Sequence, residues 1–311
     1  MNASRRQAAG ALVAIAMLVA ACGTGGGSSG PHTFGEPSIT PAPGAIKVVT
    51  TTTVFADIVR NVGGPRTDAR SIIPPGVGPE DYEPKPNDAK SLADAQLIVS
   101  NGVGLDDFLN RLLASGSGGN TPRLVLGEGI PAITIDGQPN PHFWLDPTLV
   151  KMYYLPKIVT ALSAIAPADA ATFQANATAY GSQLDALDAE LKAKVDTIPA
   201  ANRKLVTFHD AFPYFARHYG FELVGVVLAN VGQEPTASAL AALVQKVKAA
   251  GVTAVFSEAQ FSPKLAQTLA DEAGIKQVVT TLYNDALGPA PADSYPGMMR
   301  WNMDKIVEAL R

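Results

Sequence analysis

The chain is poor in the residues that build sulfur chemistry, with one cysteine among 311 residues. A single cysteine excludes an internal disulfide, a zinc ribbon and an iron–sulfur cluster, so any metal site must be built from histidines and carboxylates. Histidine is scarce too, at four residues, and only 17% of positions are charged. No dense Lys/Arg run occurs and the formal net charge is −4, which argues against nucleic acid as a partner. HExxH and Walker sequences are missing, and with them the usual marks of a metallopeptidase and a nucleotide hydrolase. The hydrophobic share of 47% excludes wholesale disorder and leaves one large or two modest domains, each able to bury a core.

What is present begins with an address. Arg5 and Arg6 precede 14 small or apolar residues, Ala8 to Ala21, which end at Cys22. A membrane-spanning helix needs roughly 20 apolar residues, so residues 1–21 read as a secretory signal peptide. Val19-Ala20-Ala21-Cys22 resembles a bacterial lipobox, in which the cysteine is lipidated and becomes the mature N-terminus. Removing residues 1–21 leaves 22 Lys+Arg against 28 Asp+Glu, a formal −6. Residues 22–45 hold seven Gly, four Pro and three Ser in 24 positions. Such a segment buries little apolar surface and reads as a tether, with a reach of about 27 Å by random-coil scaling. His32 belongs to the tether and is expected to be a solvated bystander.

From Ile46 onward short β-rich runs alternate with helical stretches, the grammar of parallel sheets covered by helices. Strands are expected at Ile46–Thr52, Arg70–Ile73, Leu97–Ser100, Leu124–Leu126 and Ile133–Ile135, with helices between, one of them capped by Asn87. Thr148–Ile165 reads as a helix that Pro156 kinks or divides. Ala168–Val195 reads as one long helix with an apolar stripe. The same alternation then restarts with strands at Lys204–Phe208, Glu222–Leu228, Thr253–Ser257 and Gln277–Thr280, and Tyr295–Leu310 closes the chain as a helix. The openings VVTTTTVFADIV and KLVTFHDAFPYF echo one another. The expected fold is therefore α/β, with two lobes, each a mostly parallel sheet flanked by helices, joined by one long helix. Their bounds are expected at 46–166, 167–199 for the connecting helix, and 200–311.

Ligands of open α/β sheets sit beyond the carboxyl ends of the strands, which directs attention to four segments. They are Ile73–Pro84 (IPPGVGPEDYEP), Asn140–Pro147 (NPHFWLDP), Thr207–Phe212 (TFHDAF) and Tyr283–Leu287 (YNDAL). Gly102-Val103-Gly104 imitates a dinucleotide fingerprint, but the third glycine position is Asp107, so it reads as a tight turn before a helix. His218 reads as a surface residue of a helix, Asp146 as a capping or supporting residue, and Asp210 as a partner for His209.

The segments PHFWLDP, FHDAFPYFA, SPKLAQTLADEAG and MMRWN, in this order, resemble the metal-binding receptors of bacterial ABC importers, the group that contains zinc and manganese receptors. The resemblance covers about residues 46–311. It implies one metal ion between the lobes, held by four side chains. Residue by residue, His142, His209 and Asp285 match three of those ligands. The fourth, usually a histidine, falls on Glu80, with Asp81 as the competing carboxylate. The resemblance also implies a permease as partner, a monomer, a lipid anchor at Cys22, an extracytoplasmic location and no catalysis. Two imidazoles with two carboxylates form a harder set than three imidazoles with one, which favours Mn²⁺ or Fe²⁺, whereas the Irving–Williams order favours Zn²⁺. Residues 114–139 contain no histidine, unlike the His-rich loop of many zinc receptors, so the expectation leans to Mn²⁺ with Zn²⁺ open. A surface-adhesion lipoprotein is the alternative, and measured metal binding separates the two. A metalloenzyme fits less well, because four protein ligands leave no open position for water.

Overall fold

Two groups of parallel strands carry the same strand order. The computed structural model describes residues 39–79, 82–114, 118–228 and 234–311. The signal segment, Cys22, His32, Glu80 and Asp81 lie outside the described residues. In the first lobe β1 (Ile46–Thr50) leads through α1 (Thr53–Gly63) to β2 (Thr67–Ser71), then α2 (Pro86–Asp94), β3 (Leu97–Ser100), α3 (Asp107–Ala114) and β4 (Arg123–Val125). The sheet order is β2-β1-β3-β4, with every pairing parallel. β3 is buried along its whole length, and its sequence, LIVS, is the near-continuous apolar run that a strand covered on both faces requires.

Three local features differ from the sequence reading. Asn87 does not cap α2: Pro86 opens the helix, and the Asp88 carboxylate accepts a hydrogen bond from Lys85 N at 2.6 Å. Proline at the first helical position sacrifices an N–H that has no partner in the helix anyway. The run after β4 does not extend the parallel sheet. β5 (Thr134–Ile135) and β6 (Gln138–Pro139) form an antiparallel hairpin about Asp136 and Gly137, both with positive φ, the pairing that a two-residue Asp-Gly turn favours. Pro156 neither ends nor divides its helix. α4 (Pro147–Leu149) passes through a π-helical turn, Val150–Tyr154, into α5 (Leu155–Ile165). The wider turn accommodates the N–H that proline lacks and the crowding of its ring.

α6 (Ala170–Val195) is a single helix of 26 residues, about 39 Å long at 1.5 Å per residue. Phe173, Ala177, Tyr180, Leu184, Leu187, Leu191 and Val195 form its buried stripe, at the three- and four-residue spacing of one helix face.

The second lobe then runs β7 (Lys204–His209), α7 (Pro213–Tyr219), β8 (Glu222–Leu228), α8 (Ala237–Ala250), β9 (Ala254–Glu258), α9 (Pro263–Ala273), β10 (Gln277–Leu282) and α10 (Tyr295–Leu310). Thr236 caps α8 by accepting from Ala239 N at 3.1 Å. β7 pairs with β8, β9 pairs with β10, and β7 lies beside β9, giving the order β8-β7-β9-β10. α6 packs against α1 and α5 of the first lobe and α10 of the second, so one long helix braces both. The largest apolar core, which includes Phe55, Trp144, Leu184, Phe215 and Met299, is shared by the lobes, while a smaller core lies against each sheet separately.

Hydrogen bonds tie the lobes together around the crevice between them. Leu287 N donates to Thr53 Oγ1 at 2.8 Å and Tyr295 N to Asp57 Oδ2 at 2.9 Å. Tyr295 OH donates to Trp144 O at 2.6 Å, and Trp144 Nε1 to Asn284 O at 2.7 Å. Asp57 thus places a carboxyl at the N-terminus of α10, where the helix dipole favours negative charge. Burial pushes its carboxyl above the usual range despite the Tyr295 bond and nearby Arg60.

Candidate metal centre

In each lobe the strand order reverses between the first and third strands, and this switch point opens the crevice in which such sheets bind ligands. β7 ends at the switch point of the second lobe, and its last residue is His209, 2% exposed. Thr207 Oγ1 donates to His209 O at 3.0 Å, closing the strand end. Asp285 follows β10 and is fully buried. Its backbone N–H donates to Asn284 Oδ1 at 2.7 Å, and Gln260 Nε2 donates to its Oδ2 at 2.9 Å.

His142 comes from the first lobe, on the loop between β6 and α4, and is 4% exposed. Asn140 sets its orientation: Asn140 Oδ1 lies 3.1 Å from His142 N and 3.0 Å from His142 Nδ1. An oxygen acceptor at Nδ1 requires the proton there and leaves the lone pair on Nε2. Asn140 itself bridges the crevice, since its Nδ2 donates to Asp210 O at 2.7 Å and its carbonyl accepts from Tyr214 OH at 2.8 Å.

The three side chains converge. His142 Nε2 lies 3.5 Å from Asp285 Oδ1, and His209 Nε2 lies 3.6 Å from Asp285 Oδ2. One ligand atom from each falls within 4.8 Å of the others, and the imidazole centroids are 5.3 Å apart. Donors bonded to one divalent ion at about 2.0–2.2 Å stand at such separations from one another. Burial alone would raise the Asp285 carboxyl; the His142 and His209 imidazoles and the Gln260 amide outweigh it and hold the group below its usual range. The trio therefore keeps an anionic oxygen between two imidazoles inside the protein.

The structure brings together His142, His209 and Asp285, which the sequence reading named, beside Asn140, Asn284, Gln260 and Glu258, which it did not name. Asp210, expected to partner His209, instead offers its backbone oxygen to Asn140; burial raises its half-buried carboxyl against the pull of His142 and His209. Glu258 Oε1 lies 3.2 Å from His209 Nδ1, with Asn284 Nδ2 3.5 Å from the same nitrogen. The expected strand stopped one residue short of it, at Ser257. Asp146 caps α4, accepting from Thr148 N at 2.9 Å. His218 is no surface residue: it reaches Asp188 Oδ1 at 2.6 Å and Asp146 Oδ2 at 3.5 Å, joining α7 to α6 and to the first lobe. Gly102-Val103-Gly104 forms a tight turn with three positive φ angles, and a Cβ at Gly102 would meet Val125 Cγ1 at 2.6 Å.

Residues 48–309 match the family described as zinc-uptake complex component A, periplasmic. The chain belongs to this family. It is 32% identical over 308 residues to the manganese-binding lipoprotein MntA of Halalkalibacterium halodurans, with 96% of each chain covered. It is 29% identical to the iron ABC transporter substrate-binding lipoprotein MtsA of Streptococcus pyogenes serotype M1, over 97% of this chain and 96% of that one. Among solved structures, the periplasmic zinc binding protein TroA of Treponema pallidum superposes with a TM-score of 0.79 at 31% identity, covering 86% of this chain and 99% of that one. The two-lobe α/β fold with its long connecting helix is shared with this solved structure.

Proposed function

We propose that this protein is an extracytoplasmic lipoprotein that captures one divalent transition metal between its lobes and delivers it to the permease of an ABC importer. The observation that carries the reading is the buried meeting of His142, His209 and Asp285. Ligands drawn from both lobes tie capture of the ion to the relation between the lobes. Glu80 completes the proposed ligand set on sequence grounds, with Asp81 as its rival, and Cys22 is the proposed lipid anchor. Lobes at 46–166 and 200–311, joined by 167–199, are the proposed division.

The cargo is Mn²⁺ or Zn²⁺, with Fe²⁺ as a further candidate, and the relatives' names divide in the same way. Two neutral imidazoles and two carboxylates suit the harder ions, while intrinsic affinity favours zinc. α6 and the hydrogen bonds across the crevice resist wide opening, so release on the permease proceeds by local rearrangement of the ligand loops. A surface-adhesion role draws no support from three side chains that are buried. Among the described residues no helix is long and apolar enough to cross a membrane.

The test is calorimetric titration of the metal-free protein with Mn²⁺ and Zn²⁺, beside His142→Ala and His209→Ala. One ion bound per chain, with sharply weaker binding by both variants, is expected; absence of binding by the parent protein would sink the transport reading. Anomalous scattering from the loaded crystal would identify the ion and decide between Glu80 and Asp81.

A further inference from the structure

We propose that Glu258 is the positioning residue of the second lobe: it holds His209 by Nδ1, presents Nε2 to the metal and supplies a second buried carboxylate to the site. The inference rests on the metal-receptor reading and adds to it a residue outside the four ligand positions.

Glu258 ends β9, beside the end of β7 that carries His209. It is fully buried, and neither side-chain oxygen receives a hydrogen bond from a described residue with ordinary geometry. Among the described residues its ion-pair partner is His209, through Nδ1 at 3.2 Å. A carboxylate taken out of water without a donor is costly. His209 Nδ1 lies 3.2 Å from Oε1, outside hydrogen-bond geometry, and a small turn of either side chain would make it the donor.

The other face of the ring agrees. Asn284 Oδ1 is committed to Asp285 N, so its Nδ2 acts as a donor; it stands 3.2 Å from His209 Nε2 and 3.5 Å from Nδ1, and the shorter contact favours a lone pair on Nε2. A lone pair on Nε2 puts the proton on Nδ1, facing Glu258. Nε2 is also the nitrogen on the Asp285 side. The cluster of mutually close ligand atoms contains His142, His209 and Asp285 and not Glu258, so Glu258 stands behind the histidine rather than in the coordination shell.

The two histidines are thus held by different chemistry. His142 has the neutral amide of Asn140 at Nδ1, whereas His209 has a carboxylate, which makes an imidazole a stronger ligand. Glu258 and Asp285 together bring two acidic side chains into the interior, and a divalent ion balances them.

The experiment uses the whole folded chain with Zn²⁺ and Mn²⁺ themselves as probes. Glu258→Gln keeps an acceptor oxygen and loses the charge; it is expected to weaken both ions about 10-fold, and Glu258→Ala about 100-fold, the range that outer partners of ligating histidines command. In the Zn²⁺-loaded parent protein, long-range ¹H–¹⁵N spectra should show His209 protonated at Nδ1 and metal-bound at Nε2. In metal-free Glu258→Ala the single tautomer should give way to a mixture. His142→Ala and His209→Ala run in the same titration: if these retain full affinity, the metal-receptor reading itself falls. If they lose affinity while both Glu258 variants match the parent, only the role of Glu258 is overturned. The parent spectrum needs no variant to fold, and zinc on Nδ1 would overturn the proposal. So would a loaded crystal with a Glu258 oxygen bonded to the ion.

Discussion

The two lobes share one strand order and even one local contact, yet they place different chemistry at the crevice. Thr50 Oγ1 donates to Thr52 O at 2.9 Å in the first lobe, and Thr207 Oγ1 donates to His209 O at 3.0 Å in the second. Thr52 is therefore the counterpart of His209. β3 runs into the neutral Asn101, whereas β9 ends in Glu258. Asn101 uses its amide to brace the neighbouring loop, donating to Pro141 O at 2.9 Å, while Tyr154 OH donates to its Oδ1 at 2.5 Å. Among the described residues, then, the first lobe's switch point supports the histidine loop, and the second lobe's switch point carries a candidate ligand and its carboxylate. An inherited frame fixes where ligands can sit; the side chains at the strand ends decide which lobe provides charge.

The sharpest way to break this contrast is to remove chemistry from matched positions. His209→Ala or Asp285→Ala should weaken metal binding at least about 100-fold, roughly 2.8 kcal/mol, by calorimetry. Thr52→Ala should change it by less than about threefold; a large loss there would show that both switch points carry ligands. Asp106 tests the first lobe by pH. It accepts from Gly102 N at 2.5 Å, and burial pushes its carboxyl up to about 6 against the pull of neighbouring donors. Because the folded value lies above the unfolded one, the native state holds the proton more tightly. This group's stabilisation is full below about pH 4 and lost as pH rises through about 6, by up to about 3 kcal/mol. Asp106→Asn should remove that decline, as read by urea midpoints of metal-free protein at pH 4.5 and 7. An unchanged profile would mean that Asp106 does not titrate there.

Smaller effects probe how one lobe carries the other's loop. Trp144→Phe deletes the bond to Asn284 O and leaves a buried carbonyl unpaired, at a cost of about 1–3 kcal/mol. Denaturant unfolding checks the cost, and calorimetry should show weaker metal binding, since Asn284 precedes Asp285. At the periphery, Lys151 and Asp185 pair at 2.6 Å with both side chains well exposed. Lys151→Ala should therefore cost less than about 1 kcal/mol, which sets the scale against which the crevice variants are judged.

Much of this was legible in the sequence because local rules and the global fold agree. Leu97–Ser100, Glu222–Leu228 and Tyr295–Leu310 form the expected elements at the expected bounds, where apolar pattern and glycine or serine punctuation coincide. The hairpin at Asp136-Gly137 was readable from its turn dipeptide, and the apolar run Ile133–Ile135 concealed it. Glu258 was harder to find. A lone glutamate after VFS looks like an ordinary strand end, and only the side-by-side placement of β9 and β7 sets it against His209. His218 was hidden likewise, because Asp188 and Asp146 are remote in sequence and meet it only after folding.

By itself the sequence determined the family, the α/β alternation, the long connecting helix and the residues His142, His209 and Asp285. Those features follow from residue periodicity and short motifs, which are local properties of a chain. The tertiary structure decided that the three side chains meet in one buried place, that Asn140 and Asn284 lie against them, and that Glu258 comes beside His209. Apart from the short-range bonds of Asn140 to His142 and Asn284 to Asp285, such facts depend on contacts between residues tens to more than a hundred positions apart, and no local pattern encodes the geometry that burial and hydrogen bonding impose once the lobes have packed.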